Sequence, residues 1–164
     1  SFSKILAPGL RIGWVQTNSV IIERLLLAGL VDSGGGLNPF TSAIVRTVLE
    51  EGWQQNYVEQ LRDTYGARAR ALSAALRAEI GEWATFREPL GGFFTWVALA
   101  ESVDASQLLK TAERYKVGFQ PGAKSSTRQG LRNYLRFSYA HYDIPDLVEG
   151  VARLRQTLLA YHGK

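Results

Sequence analysis

The sequence contains no cysteine. That excludes disulfides, thiolate nucleophiles and cysteine-built zinc or iron sites, and it fits an intracellular, cytoplasmic setting. Methionine is absent too, and the chain starts at Ser1 inside what reads as a structured segment. We therefore expect a piece or processed product of a longer protein. Long hydrophobic runs are missing. The most apolar stretch, GGFFTWVALA, is too short to span a bilayer, and no signal peptide is visible. Lys and Arg number 19 against 15 Asp and Glu, a net charge of +4, but they are scattered over helical faces. Nucleic-acid recognition needs a basic stripe or cluster, which this pattern lacks. There is no G-x-S-x-G elbow, P-loop or dinucleotide fingerprint. His141 and His162 stand far apart without acidic neighbours, which reads as surface or capping histidines and not as a metal site.

What is present suits a folded globular chain. Of 164 residues 46% are hydrophobic and 21% charged, enough to bury a substantial core. Residues 10–17, LRIGWVQT, read as a short strand. Asn18 and Ser19 can cap a helix over VIIERLLLAGL, whose apolar residues nearly encircle it and predict burial. The loop DSGGGLN follows. Asn38-Pro39 then opens a second helix that ends near Gly52. Trp53, Tyr57, Leu61, Tyr65, Leu72, Leu76 and Ile80 recur at helical spacing, which predicts one long helix over 53–80 stopped by Gly81. At about 1.5 Å per residue it spans roughly 40 Å, long enough for a strut between two domains.

Beyond Gly81 the pattern changes. ATFREP and FFTWVAL read as strands, ASQLLKTAERYK as a helix closed by Gly118, Val117 to Gln120 as a short strand stopped by Pro121-Gly122, and RNYLRFSYA as a further strand. Asp143, Ile144 and Pro145 open a last helix to about Tyr161, with Leu147, Val151, Leu154 and Leu158 on one face. This predicts a mixed α/β chain whose second part is α+β, divided within or just after the long helix. We place residues 1–80 in one domain with the linking helix, and 81–164 in a small domain.

The chemistry starts in SFSKILAPGLRIGWV. A lysine in a partly apolar site loses charge more readily, which suits a Schiff-base nucleophile. Ser1 and Ser3 offer hydroxyls beside Lys4. Arg11, seven positions later, offers a planar fork that matches phosphate, and Gly9 and Gly13 permit close backbone approach. A lysine with phosphate-binding groups this near suits a phosphorylated aldehyde cofactor, pyridoxal phosphate above all. The plain alternative is a solvated terminal lysine and an edge-strand arginine. In DSGGGLNPFTS, three glycines before a helix start could bring backbone near a phosphate or serve as a connector. In LRNYLRFSYA, strand alternation puts Leu131, Asn133, Leu135, Phe137 and Tyr139 on the core face, and Arg132, Tyr134, Arg136 and Ser138 on the other.

SFSKILAPGLRIGWV resembles the lysine segment of fold-type I, class I/II aminotransferases, Ser-x-Ser-Lys followed by Pro-Gly-x-Arg-x-Gly. It matches at Ser1, Ser3, Lys4, Pro8, Gly9, Arg11 and Gly13. PLGGFFTWVAL, VGFQPG and NYLRFSYAHYDIPDLVEGVARL resemble later segments of the same family in the same order, so the likeness runs along essentially the whole chain. The style is nearest the 2-aminoadipate or kynurenine aminotransferase branch. The resemblance implies a C-terminal portion: the end of the large domain, the linking helix, and a small domain with a short sheet packed by helices. It implies that Lys4 bonds the cofactor aldehyde and shuttles a proton, that Ser1, Ser3 and Arg11 hold the cofactor phosphate, and that Arg136 clamps the substrate carboxylate.

It further implies a homodimer in which Asn38 and Ser42 contribute near the substrate, and transfer of an amino group between an amino acid and a 2-oxo acid. The family residues that pair with the pyridine nitrogen and stack on the ring precede the lysine and have no counterparts here. This polypeptide alone is accordingly expected to be inactive and to expose apolar surface. Two other activities share these motifs: the aminotransferase-like effector domain of a winged-helix transcriptional regulator, and a lyase using the same cofactor.

Overall fold

A computed structural model describes residues 1–32, 37–128 and 130–163. The chain divides into two compact units, Ser1–Arg62 and Asp63–Lys164. The division falls within the long helix.

The first unit is helical. α1 (Ser19–Leu26) is capped by Asn18, whose side chain accepts from the Ile21 amide at 3.0 Å. α2 (Gly29–Asp32) follows. α3 (Pro39–Glu50) starts as its sequence predicts, with Pro39 in the first turn and the Asn38 side chain accepting from the Thr41 amide at 3.4 Å. α4 (Trp53–Ile80) begins here and has the predicted length, 28 residues.

Three expectations fail in this unit. The single helix read over 20–30 stops at Leu26, and a short α2 starts at Gly29. Residues 10–17 form no strand. Pro8–Leu10 make a turn of 3-10 helix and the segment then runs on irregularly. A strand needs a ladder of backbone hydrogen bonds to a neighbour, and beyond the single bond from the Phe2 amide to the Ile12 carbonyl the described residues build none here. Nor is α1 buried: Val20, Leu25 and Leu26 are 55%, 46% and 56% exposed. Its apolar residues mark a surface able to pack, while the only buried apolar residue among those described in this unit is Val45.

The second unit carries the core. Four strands, β1 (Ala84–Phe86), β2 (Phe94–Leu99), β3 (Gln120–Pro121) and β4 (Tyr134–Ser138), form an antiparallel sheet in the order β1-β2-β4-β3. One face, with Val97, Leu99, Leu135 and Phe137, packs on Leu72, Leu76 and Ile80 of α4, on α5 (Ala105–Ala112) and on α6 (Ile144–His162). Leu147, Val151, Leu154 and Leu158 of α6 are buried, as their spacing predicts.

Local boundaries differ in two places. The strand near residue 120 is Gln120–Pro121 and not 117–120. Pro121 is tolerated because β3 is an edge strand, where its missing amide leaves no ladder bond broken. The helix over ASQLLKTAERYK closes before Gly118, through a 3-10 turn Glu113–Tyr115 and a left-handed Lys116 at φ 55°. Among the described residues, no helix is long and apolar enough to cross a membrane.

Candidate functional site

In the first unit, residues 1–13 fold back on themselves. The Phe2 amide donates to the Ile12 carbonyl at 3.0 Å, and the Phe2 carbonyl accepts from the Leu6 amide at 2.9 Å. That closure draws together residues ten positions apart. The Ser1 hydroxyl lies 3.1 Å from the Ser3 hydroxyl, and Arg11 Nη1 donates to the Ser3 hydroxyl at 3.3 Å and to the Pro8 carbonyl at 3.0 Å. Arg11 takes a left-handed conformation, φ 51°, as the residue that ends the 3-10 turn. No carboxylate pairs with it among the described residues. Two hydroxyls and an unneutralised guanidinium are the donors a phosphate takes, so the residues present fit that part of the cofactor.

Lys4 lies on the turn between these groups and is exposed, not in the partly apolar setting expected. Gly9 serves a turn, the 3-10 turn Pro8–Leu10, and a Cβ at Gly13 would make ordinary contact with Ser1 at 3.6 Å.

Asn38 uses both ends of its amide: Oδ1 caps α3, and Nδ2 donates to the Leu10 carbonyl at 3.4 Å. Ser42 is exposed on α3. The glycines of DSGGGLN fall at 34–36, outside the described residues. Sequence reading missed Gln54, which is buried and donates to the Ile5 carbonyl next to Lys4. Gln54 is followed by Gln55 in the first turn of α4, and nothing in the sequence signals which amide will turn inward.

In the second unit, β4 alternates as read within Tyr134–Ser138, but Leu131, read as a core-facing strand residue, precedes the strand and is 41% exposed. Leu135 and Phe137 are buried, and Tyr134, Arg136 and Ser138 lie on the opposite face. Trp96 and Gln120 stand opposite Arg136 on the two neighbouring strands. The Arg136 guanidinium lies over the Phe94 ring, 4.1 Å from its centroid, and Nη2 donates to Gln120 Oε1. Its Nε is buried with no partner.

No acid in the described chain pairs with Arg136. It borders a cavity of about 620 Å³ whose walls include Phe94, Phe119, Gln120, Tyr142 and Leu147. A half-buried cation with an unused N–H beside a cavity is poised for an anionic group.

Arg132, in the turn before β4, is committed elsewhere. Its Nη2 pairs with Asp104 at 2.7 Å, and that hydrogen bond is the main reason the Asp104 carboxyl titrates below its ordinary range. His141 stacks edge-on with Tyr142 at 4.9 Å, and His162 closes α6.

The short antiparallel sheet with helices packed on one face is the fold seen in solved fold-type I aminotransferases. The description "Aminotransferase class I and II" matches residues 1–154, and the chain belongs to that family. It is 32% identical to a 2-aminoadipate transaminase of Thermus thermophilus, over 96% of this chain and 39% of that protein. The solved α-aminoadipate aminotransferase of Thermus thermophilus, bound to N-(5'-phosphopyridoxyl)-L-leucine, superposes with a TM-score of 0.89 at 31% identity, covering 99% of this chain and 41% of that one. An uncharacterized HTH-type transcriptional regulator of Bacillus subtilis is 31% identical over 94% of this chain and 31% of its own length. The chain thus spans about 40% of the length of the aminotransferases it matches.

Proposed function

We propose that the protein acts as a pyridoxal-phosphate-dependent aminotransferase, moving an amino group between an amino acid and a 2-oxo acid. The observation that carries the reading is the cluster of Ser1, Ser3 and Arg11 on the turn that bears Lys4. When bound, pyridoxal phosphate supplies an aldehyde and an electron sink. Arg11 and the hydroxyls of Ser1 and Ser3 would hold its phosphate by charge-assisted hydrogen bonds. Lys4 Nζ would hold the cofactor covalently, then carry a proton between the substrate α-carbon and the cofactor's C4′. Arg136 would fix the substrate carboxylate, supported by its unpaired Nε and the absence of any acid on it among the described residues.

Residues 1–80 would end a cofactor-binding domain and its linking helix, and 81–164 would form the small domain. We place the protein in the cytoplasm as a homodimer. Asn38 would reach substrate only by releasing the Leu10 carbonyl or the cap of α3.

The intact protein mixed with pyridoxal phosphate should develop the cofactor's bound visible absorbance, and Lys4→Ala should abolish it. An unchanged spectrum in that variant would overturn the assignment. A second reading, the effector domain of a transcriptional regulator, is favoured by the likeness to the Bacillus subtilis regulator. A winged-helix segment encoded upstream in the same gene would decide for it.

A further inference from the structure

We propose that Gln120 is a positioning residue that holds the Arg136 guanidinium in place while leaving its charge whole. The inference rests on reading Arg136 as the carboxylate clamp. A free arginine side chain carries about 2 kcal/mol of rotamer entropy, so a clamp gains affinity when that freedom is already removed.

Two groups remove it here. The Phe94 ring lies against one face of the guanidinium at 4.1 Å, and Gln120 Oε1 accepts from Nη2. The amide is itself oriented, since Gln120 Nε2 reaches the Ser125 hydroxyl at 3.5 Å.

The backbone beneath is fixed as well. Gln120 pairs in register with Arg136, and Pro121, which is fully buried, with Leu135. Gly122 then passes so close to its neighbours that a Cβ would lie 2.5 Å from the Leu131 carbonyl oxygen and 2.7 Å from Tyr134 Cβ.

The partner's chemistry matters as much as its position. Arg132 faces a carboxylate, Asp104, and its charge is matched within the chain. Arg136 faces a neutral amide, which fixes direction without supplying a counter-charge. A carboxylate at position 120 would occupy the guanidinium and compete with any ligand.

The test uses the intact protein loaded with pyridoxal phosphate. Calorimetric titration with acetate, 2-oxoglutarate and 3-phenylpropionate gives carboxylate affinities independent of turnover. With the tightest probe, Arg136→Ala should lose binding. Gln120→Ala should raise Kd about tenfold, as loss of a hydrogen bond to a charged group does. Gln120→Glu, nearly identical in shape and so the check if the alanine variant misfolds, should raise Kd further toward the Arg136→Ala value. In turnover, KM should rise with Kd while kcat falls less than about threefold.

Unchanged Kd in both Gln120 variants, with binding lost in Arg136→Ala, overturns the positioning role and leaves the clamp standing. If Arg136→Ala binds the probes as the unsubstituted protein does, the clamp reading fails and this inference with it.

Discussion

Arg132 and Arg136 stand four residues apart, the first in the turn before β4 and the second within it, and they end in different chemical states. Arg132 is 71% exposed and paired with Asp104, so the ion pair by itself is worth less than about 1 kcal/mol. Asp104 matters more as a cap, since one carboxylate oxygen accepts from the amides of Ser106 and Gln107 at 2.8 and 3.2 Å and starts α5. Asp104→Ala should therefore cost about 1 kcal/mol by urea unfolding at neutral pH, and Asp104→Asn, which keeps a cap acceptor, clearly less. The Asp104 carboxyl titrates low, chiefly through the Arg132 hydrogen bond. A lowered folded-state value means that this contribution is fully present above the ordinary value of 3.8 and is lost as pH falls below it. The gap between the unsubstituted protein and Asp104→Asn should accordingly close in acid.

At the scale of elements, β3 is two residues long and still fixes one wall of the cavity, because Gly122 lets it lie against β4. Gly122→Ala would force a Cβ into backbone and into Tyr134, with no flexible side-chain end to yield. We expect a loss of about 1–3 kcal/mol by urea unfolding. Gly118→Ala is the control: a Cβ there meets nothing within 4 Å, and its stability should stay within about 0.5 kcal/mol of the original. α4 shows how one helix can carry two fates. Leu72, Leu76 and Ile80 are buried, while Trp53 is 57% exposed on the same periodic stripe. The spacing marks the face that can pack; whether anything lies against it is a tertiary matter.

Across the whole molecule, burial is uneven. The contiguous core runs from Ala69 to Leu158, entirely within Asp63–Lys164. In the first unit Leu27 is 82% and Phe40 78% exposed. Backbone amides are protected from exchange in proportion to the free energy of opening the structure around them. In this polypeptide, slow-exchanging amides should therefore concentrate in β2, β4 and α6, and those of α1 and α3 should exchange faster. Mass-spectrometric hydrogen exchange would show it, and equal protection of α1 and β4 would count against this distribution of stability.

Helix bounds were legible wherever a local rule sets them. Asn38-Pro39 opens α3, and the stripe ending at Ile80 closes α4, because caps and helical spacing act within a few residues. The orientation of Arg136 was legible for the same reason, since neighbours along a strand must alternate faces. Lys4, Ser1, Ser3 and Arg11 were visible as a motif, and the fold-back of residues 1–13 turned the motif into a hydrogen-bonded cluster. What no stretch of sequence could reveal was anything that depends on a distant partner: that residues 10–17 form no strand, that α1 remains exposed, and that Gln120, sixteen residues before Arg136, is the group that bonds it. Those outcomes were decided by the tertiary structure, because strand pairing, burial and cross-strand hydrogen bonds arise only when segments far apart in the chain meet.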